Sequence, residues 1–120
     1  MRHLVLSNKV AQFLNTQIDT TWKWRTRDNT LIAPAQMRTG HIFNTLRMIW
    51  NNKLPDYMRV GDVRLYKFNS FYTDEYMAQA IIHLYDELLT RNNVTVEQQR
   101  QLAEMHRKME QYKSLKLEFK

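Results

Sequence analysis

The run Trp22-Lys23-Trp24-Arg25-Thr26-Arg27 alternates aromatic and cationic side chains within a sequence of 120 residues. On a β-strand successive side chains face opposite sides, so Lys23, Arg25 and Arg27 share one face and Trp22 and Trp24 the other. At a rise of ~3.3 Å per residue, the cations stand about 7 Å apart, a spacing that can follow a phosphate backbone. The tryptophans have two readings here. Exposed, they stack on the bases of a single strand; buried, they anchor a hairpin while the cations guard its edge. Trp22 is therefore counted with Lys23, Arg25 and Arg27 among the candidates for partner or nucleic-acid binding.

Two other constellations carry polar chemistry. His41 and Asn44 fall three apart, on one face of a helix. With Trp24 and Met37 they are expected to form a structural clamp, in which the polar pair bonds the backbone of the hairpin; the other reading of the pair is a contact to a polar ligand. Near the C-terminal end, Arg100, Arg107 and Lys108 flank the seam Leu102, Met105, Met109 and Tyr112. A seam this narrow either packs lightly on the body of the chain, pairs with another chain or docks a partner, and Met adapts readily to partners.

Much other chemistry is excluded or disfavoured. With no cysteine there is no disulfide, thiolate ligand or thiol nucleophile. Two glycines, Gly40 and Gly61, leave no phosphate-cradling loop. His3, His41, His83 and His106 lack zinc-binding spacing, and Ser7, Ser70 and Ser114 lack a nucleophile elbow. The Asp74-Glu75 and Asp86-Glu87 neighbours diverge on a helix, while His83 and Glu87 can pair across one turn. The expectation is a protein that is not an enzyme and uses no cofactor or metal.

The formal net charge is +6, unevenly spread. Residues 1–56 carry eight Lys/Arg against three Asp/Glu, 57–90 three against five, and 91–120 seven against four. Two basic segments thus flank an acidic one, which favours an anionic partner. No window is apolar enough to span a membrane and the start shows no leader pattern, so a cytoplasmic location is expected.

The elements that must position these residues follow from periodicity. Val10, Phe13, Leu14 and Ile18 predict a helix over 7–19, capped by Ser7. A hairpin is expected over 21–32, turning at Asp28-Asn29 and ended by Pro34. Ile42, Phe43, Leu46, Ile49 and Trp50 predict a helix over about 39–52, closed by Asn51-Asn52 and Pro55. Residues 53–72, rich in aromatic and β-branched types, read either as a short strand or as an ordered loop packed by its own aromatics. Thr73 caps a third helix with a broad apolar stripe from Met77 to Leu88. Thr95 and Gln98 form a capping box for a fourth, about 96–115. The fold class is α+β: about four helices with one short hairpin packed on them, in one domain spanning 1–120. Within it, residues 95–120 are a candidate partner-binding extension, and pairing into a dimer runs through 96–115.

The stretch from Trp24 to Arg47 resembles a motif of small phage and prophage proteins, roughly W-T-x-x-x-G-x-x-I-x-I-x-x-M-x-x-x-H-L-x-N-x-I. Trp24, Ile32, Met37, His41, Asn44 and Leu46 stand in matching places, Asn29 replaces the turn glycine, and Pro34 replaces the second isoleucine. The resemblance implies a phage-encoded origin, hence the host cytoplasm, and no activity. The first functional expectation is a non-enzymatic accessory protein that binds a host or phage protein stoichiometrically, such as an inhibitor of host defence or metabolism. The alternative is a basic nucleic-acid-binding module.

Overall fold

In the computed structural model, residues 9–111 are described. Two helices carry the core: α2 (Thr39–Lys53) and α3 (Asp74–Leu89). Along α2, Ile42, Leu46, Ile49 and Trp50 are fully buried, and along α3 Met77, Ala80, Ile81 and Leu84. Their i, i+3, i+4 spacing makes one stripe on each helix, and each large side chain so buried stabilises the fold by roughly 1.5–3 kcal/mol. Thr73 caps α3 as expected, its hydroxyl accepting from the Tyr76 N–H at 3.1 Å.

Helix α1 includes residues 9–13, with Val10 and Ala11 buried; its expected start at Ser7 lies outside the described residues. It does not run to residue 19. Asn15 takes a left-handed φ of 55°, the Thr16 N–H returns to the Ala11 carbonyl at 2.9 Å, and the Asn15 N–H returns to Gln12 at 3.1 Å. That pair of bonds is a Schellman cap, and after glycine asparagine is the residue that best tolerates the position. Beyond the cap, the chain is tied to α3 by a buried amide. Gln79 accepts from the Asp19 N–H at 2.8 Å and donates to the Gln17 carbonyl.

The hairpin pairs β1 (Trp24–Arg25) with β2 (Leu31–Ile32), antiparallel, with Trp24 opposite Ile32. Asn29 has φ 70°, closing the loop as the Asp28-Asn29 dipeptide predicts. Two residues per strand are too few to stand alone. The outer edge of β1 is completed from α3 and its approach: the Tyr76 hydroxyl accepts from the Arg25 N–H at 2.7 Å and donates to the Lys23 carbonyl, and the Tyr72 hydroxyl donates to the Arg25 carbonyl at 2.9 Å. Burial of Tyr76 in this arrangement pushes its pKa up to about 12.

Residues 59–72 form an ordered loop with no strand. Asn51 and Asn52, expected to close α2, lie in its last turn and also hold this loop. The Asn51 amide donates to the Val60 carbonyl at 2.8 Å and accepts from the Val60 N–H at 2.8 Å. Asn52 donates to the Arg64 carbonyl at 2.9 Å and accepts from the Tyr66 N–H at 2.8 Å. Side-chain amides thus take the backbone groups that a strand partner would have used. Gly61 is required in this loop: its φ is +69°, and an added Cβ would lie 2.5 Å from Gln101 Oε1.

Helix α4 (Val96–Gln111) begins with the predicted capping box, Thr95 and Gln98 exchanging bonds at 3.1 Å. Its seam residues Leu102, Met105 and Met109 are buried in the chain's own core, and Lys108 donates to the Tyr57 carbonyl at 3.0 Å. Within the described residues, the seam that motivated pairing through 96–115 is therefore covered by the chain itself. Tyr112 and the helix beyond it lie outside the described residues. No described helix is long and apolar enough to cross a membrane.

Candidate functional site

The outer face of α2 is the floor of a cleft of about 460 Å³. His41, Asn44, Thr45 and Met48 supply the floor. The hairpin makes one wall, with Trp24, Arg25, Arg27 and Asn29, and the loop makes the other, with Tyr66, Lys67, Phe68 and Tyr72. Each wall is fixed by the bonds already described: phenol hydroxyls hold the hairpin, and the two asparagines hold the loop.

Three cations line this cleft, and no carboxylate does. The Arg25 guanidinium is fastened by Asn29 Oδ1 and lies 4.2 Å from the centre of the Phe71 ring. Arg27 and Lys67 have no hydrogen-bond or ion-pair partner among the described residues. Asp28, at the hairpin tip, stays ionised to unusually low pH because the Thr26 hydroxyl, then Thr30, bonds its carboxylate. Aromatic rings continue around the loop wall. Tyr66 lies 6.4 Å from Phe68 with planes 25° apart, and Tyr72 lies 5.4 Å from Trp24.

The structure changes the expected roles of His41 and Asn44. Both are exposed and neither bonds the hairpin backbone. That backbone is already satisfied by its own pairing and by Tyr72 and Tyr76, and the two side chains emerge opposite the buried stripe of α2. They are open polar groups on a cleft floor and not a clamp. Trp24 and Met37 are buried in the packing set as expected.

Of the alternating run, Arg25 and Arg27 reach the cleft and Lys23, although exposed, does not line it. Trp22 and Trp24 are each only 7% exposed, so of their two readings the buried anchor holds, and Trp22 is not placed to stack on a base. Trp22 instead stacks on His83, with ring centres 5.3 Å apart and planes 4° apart. Its indole N–H is buried without a partner among the described residues. His83 does not pair with Glu87. Its Nε2 meets the Asp19 carbonyl at 2.8 Å, and Glu87 takes Arg91 at 2.9 Å. Burial pushes the His83 pKa below its ordinary 6.5, only partly opposed by the Asp19 carbonyl and the Asp19 and Asp86 charges.

The candidate cations of α4 are not gathered with the others. Arg100 bonds Glu97, Arg107 bonds Glu104 at 2.8 Å, and Lys108 is engaged by Tyr57. Sequence reasoning missed Tyr66, Lys67 and Phe68 as site residues. The signal available was the density of aromatic residues in 53–72, which did not say where that loop would fold.

Among the described residues no group of three His, Asp or Glu side chains is placed to hold a metal ion. No protein-family model, curated protein or solved structure is matched by this chain.

Proposed function

We propose that this protein is a nucleic-acid-binding module whose site is the cleft over α2. One observation carries the reading: Arg27, Lys67, His41 and Asn44 converge on a carboxylate-free cleft and have no partners within the described chain. Unpaired cations beside aromatic rings suit a polyanion that carries flat bases, whose phosphates take the cations and whose bases take the rings. Hydrogen-bonding side chains on the floor suit base edges. The test is fluorescence anisotropy with a labelled oligonucleotide across a range of salt. Binding that weakens linearly in log salt supports the reading, and an affinity indifferent to salt, or no binding at low salt, overturns it.

A second reading, stoichiometric binding of a host or phage protein, draws on a different feature. The loop turns Val63, Leu65 and Tyr66 outward, and Leu65 is 76% exposed. Neighbouring apolar side chains of this kind suit a protein surface more than a polyanion. Recovery of one protein in stoichiometric amount from lysate, lost in Leu65→Glu but kept in Arg27→Glu, supports it; recovery of nucleic acid alone overturns it.

A further inference from the structure

The cleft does not stand alone. At the hairpin end it adjoins a second hollow, with which it shares Thr26, Arg27 and His41, and at the other end a third, with which it shares Asn44, Met48 and Tyr66. Side by side, the three make an interrupted trough beside the outer face of α2, from the hairpin loop to Arg64. From His41 to Asn51 the floor spans ~15 Å at the helical rise of 1.5 Å per residue. Cations mark its length, with Arg27 at one end, Lys67 midway and Arg64 at the other, where Arg47 is held by Gln101 Oε1 at 3.0 Å. Its lining carboxylates, Asp28 and Asp62, sit only in the two end hollows.

The shape selects between forms of nucleic acid. Reading a duplex in its major groove takes a helix or ribbon that protrudes. Here the exposed face of α2 is recessed between two walls, and the cations of the more open helix α4 are bonded within the chain. A single strand needs the converse: a concave cationic track with ring faces exposed beside it. Tyr66 supplies such a face, being 49% exposed and stacked beside Phe68. We infer that the trough takes a single strand of nucleic acid and excludes a duplex, with bases against Tyr66 and phosphates along Arg27, Lys67 and Arg64.

This inference rests on the nucleic-acid reading, and the experiment separates the two. Anisotropy titrations of the full chain use a labelled oligothymidine and, separately, a labelled DNA duplex of equal length, at low salt. The expected result is tighter binding of the single strand by at least about tenfold. Tyr66→Ala should weaken single-strand binding by roughly fivefold to over a hundredfold, and Tyr66→Phe, which keeps the ring, should restore it. The Tyr66 backbone bond to Asn52 survives both substitutions, and circular dichroism checks that each variant is folded. Equal or tighter binding of the duplex overturns the single-strand inference and leaves the nucleic-acid reading standing. An undiminished affinity in Tyr66→Ala overturns the stacking role. Failure to bind either form overturns both readings.

Discussion

The hairpin loop and helix α4 both carry cations that the sequence marks as binding candidates, yet the two regions use their charge in opposite ways. On α4 the arginines sit three residues from glutamates of the same helix, and Arg100 and Arg107 are consumed locally by Glu97 and Glu104. On the hairpin Arg27 sits in the turn beside Asp28, whose carboxylate is taken by the Thr26 hydroxyl and the Thr30 N–H instead, and the loop opposite delivers Lys67 to the same cleft. Equal formal charge therefore gives unequal electrostatic potential. What matters is whether a counter-charge lies within one helical turn, because a close ion pair cancels most of the field that a distant polyanion would feel.

The comparison breaks most severely if the hairpin loses its anchor. Trp24→Ala should destabilise the chain by roughly 3–5 kcal/mol, since a buried indole supports a two-residue strand, and a denaturant midpoint would register the change. The opposite wall depends on Asn51. Asn51→Ala leaves the buried Val60 N–H and carbonyl without their partners and should cost about 1–3 kcal/mol by the same measurement.

Charge removal sharpens the comparison without disturbing the fold. Arg27→Gln with Lys67→Gln should reduce the log–log salt slope of single-strand binding by ~1.4, about 0.7 for each phosphate no longer neutralised. A subtler probe is pH. His83 has its pKa depressed in the folded chain, so the unfolded chain binds the proton more tightly. Its contribution is complete above the unfolded value of 6.5 and is lost as pH falls below it. Stability should therefore decline from about pH 7.5 to about pH 5.5, less steeply in His83→Gln, as read from denaturant midpoints. The smallest effect belongs to α4. Neutralising both pairs, Arg100→Gln and Arg107→Gln together with Glu97→Gln and Glu104→Gln, should change oligonucleotide affinity by less than about twofold, because each pair has no net charge to lose. A weakening comparable to that of the hairpin pair would erase the distinction between the two regions.

Several elements were legible because their signals are local. The stripes of α2 and α3, the Thr73 cap, the Thr95–Gln98 box and the hairpin turn each depend on residues within a few positions of one another. Reading failed where a local signal had a non-local use. Asn51-Asn52 marks the end of the helix, but those amides also find the 60–66 backbone; Asn15 looks like helix interior, but takes the left-handed cap. His41 and Asn44 share one helix face, as their spacing implies, but have no hairpin backbone to bond, since Tyr72 and Tyr76 reach the hairpin edge from across the chain.

An α+β chain of helices around one anchored hairpin, with an excess of positive charge, is already written in the order of the residues. Those properties follow from residue type and short-range periodicity, which are fixed before the chain folds. Which cations remain unpaired, that Trp22 is buried and Tyr66 exposed, and that the 62–69 loop forms a wall facing the hairpin all emerge with folding. The physical reason is that counter-charge, burial and concavity depend on distances between residues far apart in sequence.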